Sequence, residues 1–271
     1  MDNVNTLLAQ LLGADPTAAM VAVGAVMARV GAAVWLAPFL GGRLIPTPVK
    51  AGVVLVFTLL LYPQVVRTVP AGLTAPVALA LVAKEGFVGM ALGFVVAVVF
   101  WAVEAAGRMI DTSRGATMAE VLVPQTGART SPVGDLYFQL ALVIFIVLGG
   151  HRIFVTSLGA SYLVLPVASI PEVKGLLGFA LLSGRLTADL FLLGLTLAAP
   201  VIAAIFLCDL TLGLINRFTP QINVFFLAMP AKALIGIGVL VLAAGLLLGA
   251  LPPLMGRAVV MVDHALRLLA G

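Results

Sequence analysis

The chain has 271 residues, of which 62% are hydrophobic and only 10% charged, and its mean hydropathy is +1.22. Soluble domains carry about 25% charged residues, and a water-soluble fold this apolar would expose large hydrophobic patches. The composition therefore excludes an ordinary soluble protein and predicts an integral membrane protein. The net charge of +4 arises from 15 basic and 11 acidic side chains spread singly, which leaves neither a polybasic lipid-binding run nor a nucleic-acid footprint.

In chain order, the start "MDNVNTLLAQLLGADP" has an acidic n-region and no small-residue cleavage site, so no signal peptide is expected to be removed. Leu7, Leu8, Leu11 and Leu12 make one apolar face suited to a membrane interface. The segment from Ala18 to Leu40 is long enough to span a bilayer but carries Arg29 at its middle. No acid lies within a turn of Arg29, so its partner is expected on another helix or another subunit. A lone charge at the bilayer centre would cost roughly 2.5–3.5 kcal/mol. Val49 to Val66 ends in Tyr62-Pro63, an interfacial aromatic followed by a helix stop.

Gly86 to Val103 reads as a clear span between Glu85 and Glu104. Lys84 and Glu85, adjacent in sequence, should point to different faces, whereas Glu104 and Arg108 are spaced i,i+4 for a helical ion pair. Gly89-x-x-x-Gly93 permits close helix approach, a weak signal taken alone. A polar, turn-rich island follows, "RGATMAEVLVPQTGARTSPVGD", from Arg114 to Asp135. Leu136 to Val167 is too long for one span, and Gly149-Gly150-His151-Arg152 divides it into a hairpin or broken helix.

Arg185 and Asp189 are again spaced i,i+4 ahead of the span Leu190 to Cys208, which contains Pro200. A second polar island runs from Asp209 to Lys232. In it Asn216, Arg217, Gln221 and Asn223 flank Thr219-Pro220, which must interrupt a helix. Pro230 is expected to break the chain again before the strongest span, Ala233 to Leu251. That span lies in a charge-free stretch between Lys232 and Arg257 and contains Gly245-x-x-x-Gly249. A polar break between apolar helices caps them or lines a wet cavity, so this island reads as a hairpin tip that meets water or a partner. Val259, Val262, Leu266 and Leu269 make an apolar face opposite Asp263 and Arg267 and look interfacial.

The resulting fold class is all-α, an integral membrane protein of about six long helices arranged as helical hairpins. Its orientation is not readable, because basic residues are matched by acids in nearly every connection. Short, charge-interrupted hairpins suit helices packed against other protein subunits. Catalytic signatures are missing. His151 and His264 are far apart with no acid or cysteine at metal-ligand spacing, "VTSLGAS" lacks the nucleophile elbow, and there is no phosphate-binding or dinucleotide loop. Neither catalytic, metal nor cofactor-binding residues are expected, and the lone Cys208 reads as a small buried hydrophobe. Any drive for transport would come from another component.

The segment "LGLINRFTPQINVFFLAMPAK" resembles the signature of the FliR/SctT family, the type III secretion export-gate component shared by flagella and injectisomes. "GATMAEVLVPQTGARTSPVGDLYFQLALVIF" resembles its polar loop and following helix, and "LAPFLGGRLIPTPVKAGVVLVF" its first hairpin. The resemblance runs in order over about residues 20–250. "FFLAMPAK" is closer to the injectisome branch, although Ala231 and Val123 depart from the family pattern.

The resemblance implies a fold like a P-type export subunit joined to a Q-type hairpin, with residues 1–175 P-like and 176–271 Q-like. It implies a bacterial inner-membrane, multi-pass protein within the secretion basal body, in contact with lipid. One copy would assemble with five P-type and four Q-type subunits, beside the autocleaving switch subunit, around a path for unfolded proteins in transit. A loop matching about Gly115 to Pro132 would plug the closed pore. Gly115, Pro124, Gly127 and Pro132 would supply turns, and Met118, Val121, Leu122 and Val123 apolar bulk, with Glu120 and Arg129 in the same set. Asp209, Asn216, Arg217, Pro220, Gln221, Asn223, Pro230 and Lys232 would form the subunit interface. The alternative reading is a secondary transporter or small-molecule channel built on breaks at Pro200, Pro220 and Pro230. An intramembrane enzyme ranks third.

Overall fold

The computed structural model describes residues 16–42, 45–115, 131–221 and 223–270. Among these the secondary structure is wholly helical: α1 (Pro16–Leu36), α2 (Pro38–Gly41), α3 (Thr47–Val65) with a 3-10 turn (Val66–Thr68), α4 (Ala75–Ser113), α5 (Pro132–Val147), α6 (Gly150–Val164), α7 (Val173–Phe218) and α8 (Val224–Ala270). Five of the helices are long and apolar enough to cross a membrane, or six spans if the broken pair α5 and α6 counts as one. The all-α membrane class and the number of long helices follow the sequence reading.

Helix length differs from that reading. At about 1.5 Å per residue, α4 with 39 residues, α7 with 46 and α8 with 47 run roughly 58–70 Å, about twice the hydrocarbon thickness of a bilayer. The spans bounded by charges are too short, because these helices run on through charged residues, the exposed Asp189 and Arg257 among them. Pro230 likewise does not break the chain: it lies inside α8 with Pro252 and Pro253, and Pro200 lies inside α7. A proline removes one intrahelical hydrogen bond, which continuous helices in a membrane setting tolerate when neighbouring groups satisfy the freed carbonyl. The expected interruption at Thr219-Pro220 is real, since α7 ends at Phe218 and α8 begins at Val224. So is the division at Gly149, whose φ of +75° is cheap only for glycine.

The described residues form two compact units, the first drawn from within 1–97, 149–185 and 257–271, the second from within 98–148 and 186–256. In the first, α4 packs on α1 through its glycines. A side chain at Gly89 would overlap the Arg29 carbonyl, and a Cβ at Gly93 would stand 2.9 Å from the Ala33 carbonyl and 2.7 Å from the Leu36 Cβ. Val88, Leu92, Val95 and Val96 are buried on the same helix. Phe39 meets Phe154 edge to face at 5.3 Å, and Phe87 meets Phe179 at 6.2 Å. Val262, Leu266 and Leu269 of α8 are buried within this unit and Gly175 lies against the Leu268 carbonyl. Val262, Leu266 and Leu269, expected at a membrane interface, are therefore covered by protein, the Val259 side chain lying outside what is described, while Asp263 and Arg267 pair across one exposed turn at 3.0 Å.

In the second unit, Phe100 sits at the centre, 5.3 Å from the Phe145 ring and 6.0 Å from Phe138. A Cβ on Gly107 would meet the Gly134 backbone at 2.5 Å, so α4 and α5 approach at backbone contact there. Ala198, Val201 and Ile205 of α7 and Leu247, Leu251 and Met255 of α8 are buried, but most of both helices carries exposed apolar side chains.

Candidate functional site

Arg29 is fully buried, and of the two places the sequence left open for its partner, another helix or another subunit, the structure supplies the first: Glu85 of α4, also fully buried, accepts from the Arg29 Nε. One terminal nitrogen of Arg29 donates to the Ser161 Oγ at 2.9 Å and the other to the Leu165 carbonyl at 2.8 Å. The guanidinium lies 4.1 Å from the centroid of the Tyr162 ring, a cation–π contact. Lys84 does not diverge from Glu85 as adjacency suggested; its Nζ stands 2.6 Å from the second carboxylate oxygen. The same Nζ donates to the carbonyls of Pro166 (3.2 Å), Val167 (2.9 Å) and Ser169 (3.0 Å). A lysine stem is flexible enough to curl back, and four oxygens offer it more than water at a half-buried site would.

This knot joins α1, α4 and the end of α6. Two cations share one carboxylate, and the Ser161 hydroxyl and backbone carbonyls beyond α6 accept from their other donors. Burying charge is tolerable only when every group is paired. Glu85 was read from the sequence as a span boundary, and the signal that could have found it was the very isolation of Arg29, which demanded a buried acid elsewhere.

The first polar island is flanked by a second cluster. Asp111, only 2% exposed, accepts from the Ser131 Oγ at 2.7 Å and the Val133 N–H at 2.9 Å through one oxygen, and from Arg114 through the other. Ser131 caps α5, its Oγ accepting from the Gly134 N–H at 3.2 Å, and Pro132 follows as the first helical residue. On the near side α4 ends at Ser113 and Gly115 takes φ +78°, donating its N–H to the Thr112 carbonyl at 3.0 Å. That left-handed cap is why a glycine stands there. Of the predicted plug residues, Gly115 and Pro132 thus sit at the two ends; Met118, Glu120, Val121, Leu122, Pro124, Gly127 and Arg129 lie outside the described residues. Asp111 was not singled out from the sequence. Its spacing to Arg114 and the Ser-Pro pair at 131–132 were the available signals.

The second polar island is a hairpin end. Asp209 of α7 and Lys232 of α8 pair at 2.6 Å across the break. Asn216, Arg217, Pro220, Gln221, Asn223 and Pro230 are all exposed. Phe218, Phe225 and Phe226 are exposed beside them, at 79%, 63% and 74%. Among the remaining predicted charges, Glu104 pairs with Arg108 as spaced, while Arg185 and Asp189 stand exposed on α7, so their spacing serves no buried charge. Cys208 is buried, as expected. No metal-ligating group of three or more His, Cys, Asp or Glu occurs among the described residues.

The arrangement offers packing, charge clasps and exposed apolar helices. The family model described as bacterial export proteins, family 1, matches residues 20–258. Yop proteins translocation protein T of Yersinia pestis is 37% identical over 197 residues, covering 72% of this chain and 73% of that protein. Flagellar biosynthetic protein FliR of Escherichia coli (strain K12) is 31% identical over 216 residues, covering 78% and 80%. The FliR protein of Caulobacter vibrioides is 30% identical over 234 residues, covering 86% and 92%.

Proposed function

Because the chain belongs to the FliR/SctT family of type III export components, we propose that it is a structural and gating subunit of the protein-export channel, with residues 115–132 closing the pore. Membership makes it an export-apparatus component that associates with other export components. The finer reading is that its neighbours are P-type and Q-type subunits, five and four copies to one of this chain, beside the switch subunit in the bacterial inner membrane. Unfolded secreted proteins would pass through the assembly, and the injectisome branch is favoured by "FFLAMPAK".

The observation that carries this reading is the contrast in burial along the long helices. Of the most apolar stretch of α4, 72% is buried within the chain, against 22% in α7 and in α8. Two helices roughly twice the length of a bilayer's hydrocarbon core, apolar on nearly every side, need cover from partner subunits over the part that lipid cannot reach. The transporter alternative loses support, since Pro200 and Pro230 lie inside continuous helices rather than at half-helix ends. Native mass spectrometry of the gently extracted complex tests the assembly: a mass fitting one copy with five and four partners is expected, and a homo-oligomer or monomer would reject it.

A further inference from the structure

We propose that Asp111 is a positioning residue that ties together the two ends of the central polar segment, and that Arg114 seats this tie on α8. The inference rests on the plug reading for its functional consequence, but the tie itself stands on the geometry of the described residues.

One buried carboxylate takes donors from both ends of the segment. Arg114 lies on the near side, and the Ser131 hydroxyl and the Val133 N–H on the far side. Though Asp111 is almost wholly buried, both of its oxygens are satisfied, by one ion pair and two hydrogen bonds. Beneath it, Gly107 and Gly134 bring α4 and α5 to backbone contact, so the tie sits on a close-packed foundation. Gly115 and Ser131, the described residues nearest the segment on either side, are therefore held at one root on α4 and α5. The stem of Arg114 occupies the space that a side chain on Gly236 would need, and Gly236 is itself buried. The guanidinium is thereby held toward Asp111, and any shift of α8 at Gly236 is felt at the root. Glycine at 236 is explained by this contact.

A mere helix-packing role would not tie the effect of Asp111 to the segment, so the test has two readouts on the complete assembled complex. The first is hydrogen exchange of the stretch 131–134. Asp111→Ala should accelerate it on the order of tenfold, as expected when charge-assisted bonds to a buried acceptor are lost. Asp111→Asn, which keeps an acceptor but loses the ion pair, should fall between. The second is ion leak of the closed complex. Asp111→Ala should raise it in the otherwise intact chain and add nothing in a chain lacking 116–130. Unchanged exchange in both variants would overturn the tie. Equal added leak with and without the segment would overturn the positioning role and leave Asp111 a packing residue. If removing 116–130 itself causes no leak, the plug reading fails, while the exchange result still decides the tie. Gly236→Ala, which leaves Asp111 intact, should accelerate exchange at 131–134 to a lesser degree; no change there would detach Arg114 from the root.

Discussion

Two stretches of this chain carry the same small-residue spacing, and the structure uses them in opposite ways. Gly89 and Gly93 of α4 are filled: the backbone of α1 lies where their side chains would be. Gly245 and Gly249 of α8 have nothing within 4 Å of the position a Cβ would take. The spacing gives a helix a surface that another backbone can approach, but it does not say whose backbone. Around the first pair sits the buried Arg29–Glu85–Lys84 knot. Around the second lie exposed Leu242, Leu246 and Leu248. One region has found its partners within the chain, and the other is left facing outward.

The largest expected effect breaks the filled side of this contrast. Glu85→Gln leaves Arg29 and Lys84 close together with no negative charge between them. Removing one member of a buried ion pair costs about 3–5 kcal/mol. The variant should lose most of its folded yield in detergent, measured by size-exclusion profile and thermal unfolding. A double variant that also replaces Arg29 with Met should recover part of the loss, because the uncompensated charge is then gone. No recovery would show that the knot matters for something other than charge pairing.

A paired substitution sharpens the contrast at lower amplitude. Gly89→Leu should destabilise the isolated chain by about 1–3 kcal/mol or more, since overpacking forces the backbones apart. Gly245→Leu should leave unfolding of the isolated chain within about 0.5 kcal/mol of the parent, yet reduce co-purification with other export components. Equal destabilisation of the isolated chain by both changes would erase the distinction drawn between the two surfaces.

How much of this was legible beforehand depended on whether a residue's partner was near in sequence. The helical class, the break at Thr219-Pro220 and the division at Gly149 come from local backbone chemistry, and they appear as read. Arg29 was legible as a residue needing a distant acid, though which acid was not. Glu85 looked like the edge of a span because its neutralising partner lies 56 residues away. Asp111 escaped because two of its three partners, Ser131 and Val133, lie 20 and 22 residues away at the far end of the polar island. The break expected at Pro230 does not occur, since a proline removes only one intrahelical hydrogen bond and this long apolar helix runs through it, and the face at 262, 266 and 269 is covered by protein that a local pattern does not reveal. Of the plug set, only Gly115 and Pro132 fall among the described residues, and both sit at helix ends.

The central claim is that this subunit closes a protein-export pore with its central segment. Its most direct test removes residues 116–130 while keeping Asp111, Arg114 and Ser131 in place, then measures ion leak across the inner membrane with the assembled complex present and secretion idle. The account predicts normal assembly with a raised leak. A leak equal to that of the parent complex, at equal assembly, would contradict it.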